Sequence, residues 1–304
     1  MKITLFGASG FIGKNLIEEL QQKYAVSQIS VRKEGWKQDP FDSDIYINLI
    51  GKAHNHNGEA REEDFYQVNV NLLKDIFESF INSKAKLFIH ISSIAALEEF
   101  ESSHELTETD ECNPDSWYGK SKRLAEEWLV TQNLPADKKL IIIRPPMVHG
   151  AGDKGSLGLL YKLISKGIPY PLSSFENKRS FISIDNFIFF INEIVNNAEK
   201  LPNGIYHIAD DESISTSEII EIIKQVEQKN APNLSLPKFL VKAIAKVGDV
   251  LPIPLNSLRL KKMTSNLTVS NQKIKSALGI DKLPLSAEEG LIKTIKSFKK
   301  LNKN

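Results

Sequence analysis

The chain has 304 residues, 41% hydrophobic and 25% charged, with a formal net charge of +1. That is an ordinary composition for a soluble globular protein, and it is long enough for one large α/β domain or a main domain with a smaller one. So balanced a charge gives no general reason to expect nucleic acid or an anionic membrane as partner, and the single cysteine, Cys112, excludes an internal disulfide and any cysteine-cluster metal centre.

A lone cysteine suits a reducing cytoplasm, the expected location. Met1-Lys2-Ile3-Thr4-Leu5-Phe6 runs straight into a glycine turn, which leaves no room for a signal peptide. No apolar run is long enough to cross a bilayer.

The first half alternates strand and helix patterns, which predicts a parallel sheet with helices on both faces. Ile3–Phe6 is a β run, followed by glycine-punctuated residues and a helix over Phe11–Lys23. Val26–Val31 reads as a second strand and Ile45–Ile50 as a third, after a connection too short for an extra strand and helix. A helix with apolar positions Val68, Leu72, Leu73, Ile76 and Phe80 follows, then a strand Leu87–Ile91 bounded by Ser92 and Ser93. Helical periodicity resumes over Tyr118–Leu129, and Leu140–Ile143 is a continuously apolar strand that ends at Arg144-Pro145-Pro146. Beyond Gly150 the alternation becomes irregular, with Ile205–Ile208 as a candidate late strand of the main sheet. The expected fold is therefore α/β, a Rossmann-type doubly wound parallel sheet with a smaller C-terminal substrate-binding domain. The first would span 1–148 and about 179–210, the second about 149–178 and 211–304.

Gly7-Ala8-Ser9-Gly10-Phe11-Ile12-Gly13 lies between the first strand and the first helix, where a dinucleotide pyrophosphate needs it. Glycine permits the tight turn and the close approach of phosphate to free N–H groups at the helix N-terminus. Gly7, Ser9, Gly10, Phe11, Ile12 and Gly13 are accordingly candidate cofactor contacts. An acid about 20 residues further on normally reads the ribose 2′-hydroxyl, whereas arginine suits a 2′-phosphate. Here the second strand ends in Val31-Arg32-Lys33, with no acid before Glu34. Arg32 and Lys33 thus favour NADP(H), with NAD(H) possible; the plainer reading is that Arg32 simply faces solvent.

Tyr118 and Lys122 stand four apart on one helix and share a face. Free tyrosine titrates at about 10, and a nearby ammonium favours the phenolate, making a usable acid or base. Ser92 and Ser93 should reach the carboxyl end of the sheet, where such folds bind ligands. A hydroxyl there can hold a carbonyl or carbinol oxygen, although Ser-Ser after a strand is equally a turn or cap.

Together and in order, Gly7–Gly13, Ser92-Ser93, Tyr118-Gly119-Lys120-Ser121-Lys122 and Arg144-Pro145-Pro146-Met147-Val148-His149-Gly150 resemble the extended short-chain dehydrogenase/reductases, the NAD-dependent epimerase/dehydratase group. The resemblance covers nearly the whole chain. It implies that Ser93 orients the substrate oxygen, that Tyr118 exchanges its proton, and that Lys122 lowers the tyrosine pKa while bonding the nicotinamide ribose. By the same resemblance Leu49, Ile50 and Gly51 lie along the cofactor, Asn69 is a helix asparagine behind the site, and Ile91 and Pro145 complete the cofactor contacts. Asn177–Asn186 looks like the segment whose arginine, here Arg179, binds a nucleotide-sugar diphosphate; a surface ion pair is the alternative. Ser92, Ser93, Ser156 and Arg179 are the expected substrate contacts. A homodimer through paired helices, including the one with Tyr118, is the family habit.

Several positions depart from the family pattern. The stretch Arg32–Ile45 is short and lacks the aspartate that commonly recognises adenine, His149 stands where tyrosine is common, and Ser156 where asparagine is common. His207 and Asp210 are expected to be structural. His54 and His56 lack a suitably spaced third ligand, so no metal is expected. Leu234–Pro254 is amphipathic with several lysines: either a helix packed over the substrate pocket or one lying on a membrane surface.

The short loop after the second strand, Arg144-Pro145-Pro146, Lys178-Arg179-Ser180 and Pro252-Ile253-Pro254 look most similar to bacterial sugar-nucleotide 4-ketoreductases. The expectation is reduction of a UDP-linked 4-keto-6-deoxy-N-acetylhexosamine in surface polysaccharide synthesis. A UDP-hexose or UDP-N-acetylhexosamine 4-epimerase is the alternative, and a non-catalytic NADP(H)-sensing protein is one of another class. Ile94-Ala95 after Ser93, where dehydratases carry an acidic pair, disfavours a 4,6-dehydratase.

Overall fold

A computed structural model describes residues 1–38, 42–53, 60–153, 155–168, 175–228, 236–251 and 255–301. His54, His56, Lys154 and Pro252–Pro254 lie outside the described residues, as does the start of the Leu234–Pro254 stretch.

The apolar run after Met1 forms β1 (Lys2–Phe6), which turns at Gly7 into α1 (Phe11–Leu20). β2 (Ala25–Ile29) is followed by a single 3-10 turn at Trp36–Gln38, then β3 (Ile45–Asn48). α2 (Glu62–Tyr66) passes through a π turn at Gln67–Asn71 into α3 (Leu72–Ile81). β4 (Leu87–Ile91), a two-residue β5 (Glu105–Leu106), α4 (Trp117–Val130) and β6 (Lys139–Arg144) complete the first half. β7 (Met147–His149), α5 (Ser156–Ser165), β8 (Phe181–Ser183), α6 (Ile184–Asn196) and β9 (Gly204–His207) follow. The rest is mainly helical: α7 (Thr216–Glu227), α8 (Lys238–Gly248), α9 (Ser257–Thr264), a short β10 (Thr268–Val269), α10 (Gln272–Leu278) and α11 (Ala287–Leu301).

Six strands form one parallel sheet in the order β2-β1-β3-β4-β6-β9. The strands β3, β4 and β6 are buried on both faces, as their mainly Ile/Leu/Phe composition favours. One face is covered by α1, α6 and α10 through Leu16, Phe187, Phe190 and Leu278. The other is covered by α3 and α4 through Phe77, Phe80, Ala125 and Leu129. The register pairs Ile3 with Ile45, Ile45 with Leu87 and Leu87 with Lys139. The carboxyl ends of β1, β3, β4 and β6 are therefore level. Strand order reverses between β1 and β3, the switch point at which such sheets bind ligands.

A separate apolar cluster joins α5, α7, α8, α9 and α11 through Tyr161, Ile223, Val241, Leu260 and Phe298. The region after residue 210 does not go to this cluster alone, because α10 packs on the main sheet beside β9. Two two-stranded parallel pairs, β7 with β8 and β5 with β10, tie the second half to the rim of the sheet.

Candidate active site

Gly7 has φ +87°, a backbone region that side chains rarely enter. A Cβ there would come within 3.0 Å of the Leu49 carbonyl carbon and the Ile50 nitrogen, so glycine lets the turn press on the end of β3. The constraint is tighter at Gly13, where a Cβ would sit 2.4 Å from the Gly7 carbonyl oxygen and 2.7 Å from that of Ala8. Gly10 N donates to the Gly7 carbonyl (3.1 Å), and no side chain caps the start of α1. Free N–H groups at a helix start, behind a turn with no room for side chains, fit a pyrophosphate. Ser9 is exposed on this turn, while Phe11 and Ile12 are half-buried.

Beyond β2, the turn from Val31 to Lys37 lines a cavity of about 440 Å³. Arg32 and Lys33 are exposed on it, and neither forms an ion pair among the described residues; Lys37 is held by Asp75 at 2.6 Å. Its open cations fit a phosphate.

Ser116 caps α4 by accepting from Gly119 N (3.1 Å), and the Glu99 carboxylate accepts from the Ser116 hydroxyl and its N–H. Gly119 allows this approach: a Cβ there would be 2.4 Å from the Ala95 carbonyl oxygen. Tyr118, in the first turn, is thereby brought near Ser93, whose hydroxyl also accepts from Ala95 N (3.2 Å). The phenol is packed among protein atoms, although part of the residue surface stays open. Burial raises its pKa above the usual value, the Ser93 hydrogen bond lowers it, and Glu99 and Glu126 raise it further. Lys122 is 2% exposed and donates to the Ile91 carbonyl at 2.9 Å. Burial pulls its ammonium down to about 8. Lys122 Nζ would lie 3.1 Å from a Cβ on Gly51, so the ammonium rests against the glycine backbone at the end of β3.

Ser93, Tyr118 and Lys122 thus converge at the ends of β3 and β4. Ser93 lowers the Tyr118 pKa, and the Lys122 ammonium donates to a backbone carbonyl beside it.

The Ser92 hydroxyl is buried and donates to Glu126 Oε1 at 2.5 Å, which makes it part of an internal network. Glu126 also accepts from Arg144 Nε (2.9 Å) and Nη2 (2.6 Å), both side chains being fully enclosed. Cys112 Sγ lies 3.4 Å from Arg144 Nη2. The Asn69 amide donates to the Lys52 carbonyl (3.1 Å) and Ser121 Oγ (2.8 Å) and accepts from Lys52 N (2.8 Å), so it ties the Gly51–Lys52 segment to α4. The π turn inside α2–α3 carries this residue inward.

Leu49 and Ile50 are half-buried at the end of β3, with Leu49 N bonded to the Phe6 carbonyl. Pro145 is buried and accepts from Ile94 N at 2.9 Å, which joins the end of β6 to the Ser93 turn. Arg179 lies where its backbone bridges to Ile214 and Leu267. Its Nη1 donates to the carbonyls of Phe100 (3.1 Å) and Ser265 (3.2 Å), and burial pulls it down to about 10. It forms no ion pair among the described residues. Ser156 opens α5 and is exposed, its hydroxyl 3.3 Å from Met147 Sδ.

His149 is buried against Thr294 Oγ1 (2.9 Å), and burial holds it down at about 4. His207 is likewise held down at about 3, first by burial and then by Arg144. Asp210 accepts from Ser183 N and Asn186 Nδ2 and is pushed up to about 6 by burial. The Glu126–Arg144 pair and Glu99 escaped the sequence reading. Glu126 carried a signal: it follows Lys122 by four residues on α4 and so shares its face.

A glycine cradle at a sheet switch point, next to a half-buried tyrosine, a buried lysine and a strand-end serine, defines a dinucleotide-dependent oxidoreductase of Rossmann type. Residues 3–209 match the model of the NAD dependent epimerase/dehydratase family, and the chain belongs to that family. It is similar to a UDP-glucose 4-epimerase of Vibrio cholerae, with 29% identity over 99% of this chain and 96% of that one. It is also similar to an N-acetyl-alpha-D-glucosaminyl-diphospho-ditrans,octacis-undecaprenol 4-epimerase of Escherichia coli O157:H7, 24% identical over 96% and 94% of the two chains. The fold matches a UDP-glucuronic acid 4-epimerase from Bacillus cereus in complex with NAD, at TM-score 0.79, 19% identity and 100% and 98% coverage.

Proposed function

We propose that the protein reduces the C4 keto group of a UDP-linked 4-keto-6-deoxy-N-acetylhexosamine with NADPH, in the synthesis of a surface polysaccharide. The observation that carries this reading is the basic cavity after β2, where Arg32 and Lys33 stand without ion-pair partners among the described residues. Such a site suits a 2′-phosphate. A reductase must exchange its cofactor with a reducing pool, commonly NADPH, whereas an epimerase regenerates its own NAD in each cycle.

The nicotinamide cofactor, when bound above the glycine turn, supplies the hydride. Ser93 holds the substrate O4 by hydrogen bond, and Tyr118 gives that oxygen its proton as the carbonyl carbon is reduced, leaving a carbinol. A phenol raised by burial is protonated near neutral pH, which suits a proton donor. Lys122, packed against Gly51 and Ile91, would hold the cofactor ribose and supply a positive charge near Tyr118. Arg179 contributes to the diphosphate: the two relatives' names both describe a hexose joined to a diphosphate, and a planar fork of donors suits phosphate oxygens. Ser156, at the start of α5, is assigned to the sugar.

A UDP-hexose 4-epimerase is the second reading, favoured by the near-complete coverage of the Vibrio cholerae relative. Fluorescence titration with NADPH and NADH, followed by addition of the ketosugar, separates the two. Tighter NADPH binding with ketosugar-dependent oxidation supports the reductase; tightly retained NAD and interconversion of UDP-hexoses without net oxidation supports the epimerase.

A further inference from the structure

The near-neutral charge of the chain conceals a local concentration. Among residues 236–262 there are six Lys/Arg, namely Lys238, Lys242, Lys246, Arg259, Lys261 and Lys262, against the single acid Asp249. That acid is occupied by the Ser257 N–H (2.9 Å) and hydroxyl (2.6 Å).

α8 divides into three stripes at helical spacing. Val241 and Ala245 are buried against the second apolar cluster. Lys238, Lys242 and Lys246 repeat every four residues on the adjoining stripe, and Lys242 and Lys246 form no ion pair among the described residues. The remaining arc carries Phe239, Leu240, Ile244 and Val247 and continues past the helix to Val250 and Leu251. Phe239 is 74% exposed, Val250 85% and Leu251 53%, and Leu258 of α9 adds 51%. A globular helix hides its apolar stripe and shows its charges. α8 does hide one, but it shows a second and wider apolar arc with lysines along its border.

We infer that the α8–α9 surface docks on an anionic lipid bilayer. Large apolar side chains beside a border of cations are the arrangement of a helix lying in the membrane–water interface: the aliphatic and aromatic groups enter the acyl boundary and the ammonium groups meet lipid phosphates. Charge favours this occupant: cations outnumber acids six to one over residues 236–262, and although Lys261 lies 3.7 Å from Glu101, Lys242 and Lys246 form no ion pair among the described residues and suit a polyanionic surface. No helix among the described residues is long and apolar enough to cross a membrane, so attachment is peripheral and salt-sensitive. The inference stands apart from the reading of the active site.

The test is flotation of the full-length protein with vesicles of phosphatidylcholine alone and of phosphatidylcholine mixed with phosphatidylglycerol, at low and high salt. The expected result is binding to the anionic vesicles, release by salt, and little binding to the neutral ones. Phe239→Glu with Val250→Glu should weaken binding at least about tenfold by removing apolar anchors. Lys242→Gln with Lys246→Gln should remove most of the preference for phosphatidylglycerol. Both variants alter exposed residues, and unchanged thermal unfolding and dinucleotide binding certify the fold. Absence of wild-type binding, or equal binding by wild type and both variants, overturns the proposal. So does a wild-type protein that self-associates through this face, seen by sedimentation as a smaller species in the Phe239→Glu/Val250→Glu variant, without vesicle binding.

Discussion

Replacing Glu126 by Gln removes one negative charge and almost no volume, so it isolates the electrostatic part of the network behind the tyrosine. Glu126 is fully buried and receives three hydrogen bonds, two from Arg144 and one from Ser92. Arg144 is 1% exposed, and apart from Glu126 and Cys112 it has no side-chain hydrogen-bond partner among the described residues, its Nη1 having none there. Removing one member of a buried pair costs about 3–5 kcal/mol, because the other charge is left enclosed and uncompensated. Gln keeps one acceptor oxygen, which puts the expected loss near the lower end, about 3 kcal/mol. At roughly 2–4 °C per kcal/mol for a large domain, the unfolding midpoint should fall by about 6–12 °C. Glu126 also raises the Tyr118 pKa, so the tyrosine-dependent limb of the pH–rate profile should move to lower pH in the same variant. Urea unfolding monitored by circular dichroism measures the first effect and steady-state kinetics across pH the second. A stability loss below about 1 kcal/mol, the level of an exposed pair, would refute the account of a buried, mutually dependent network. Restored stability in Glu126→Leu/Arg144→Met would support it, since an apolar replacement of the whole pair leaves no orphaned charge.

Other substitutions test separate parts. Tyr118→Phe should lower turnover by about 10²–10⁴-fold, the usual contribution of a positioned proton donor, and leave dinucleotide affinity nearly unchanged in a fluorescence titration. Gly13→Val places atoms where a Cβ already meets the Gly7 carbonyl at 2.4 Å, so loss of dinucleotide binding and roughly 2 kcal/mol or more of stability are expected by titration and urea unfolding. Arg32→Gln with Lys33→Gln should weaken NADPH by about tenfold or more and spare NADH, because only the 2′-phosphate loses its cations. For His207, burial first and Arg144 second hold the folded-state pKa at about 3 against an ordinary value of 6.5. The unfolded chain therefore takes up this proton first, and stability should fall as pH drops from about 6.5 toward 3. His207→Gln should flatten that slope by up to one proton in urea midpoints measured across pH.

The sheet was readable because its strands advertise themselves. Leu140–Ile143 is continuously apolar and Leu87–Ile91 is broken only by His90; both are buried on both faces, with ends displaced by one residue at most. The glycine turn was readable for the same physical reason that it works: Gly7 needs positive φ, and Gly13 has no room for a side chain. β2 was read two residues too long, since Ser30 and Val31 share the apolar-flanked pattern but leave the sheet for the basic turn. The role of Asn69 depends on a π turn, whose single-residue shift in helical phase leaves no mark in apolar periodicity. The true partner of Ser92 lies 34 residues away on α4, and proximity across a helix–sheet contact does not follow from residue type. Arg179 is anchored by two carbonyls rather than a carboxylate, and backbone acceptors cannot be foreseen from side-chain chemistry. The amphipathic character of the α8 stretch was evident, but its pattern alone could not tell the stripe that packs from the arc that is left open.

The most direct test of the central claim, C4 reduction with Tyr118 as proton donor, is a single incubation of the enzyme with NADPH deuterated at the nicotinamide C4 and a UDP-4-keto-6-deoxy-N-acetylhexosamine, read by NMR of the product. Using the deuterated face for transfer, the account predicts one deuterium on the sugar C4 per NADPH oxidised, formed about 10²–10⁴-fold more slowly with Tyr118→Phe. Product formed without deuterium at C4, or labelling that persists undiminished in Tyr118→Phe, would contradict it.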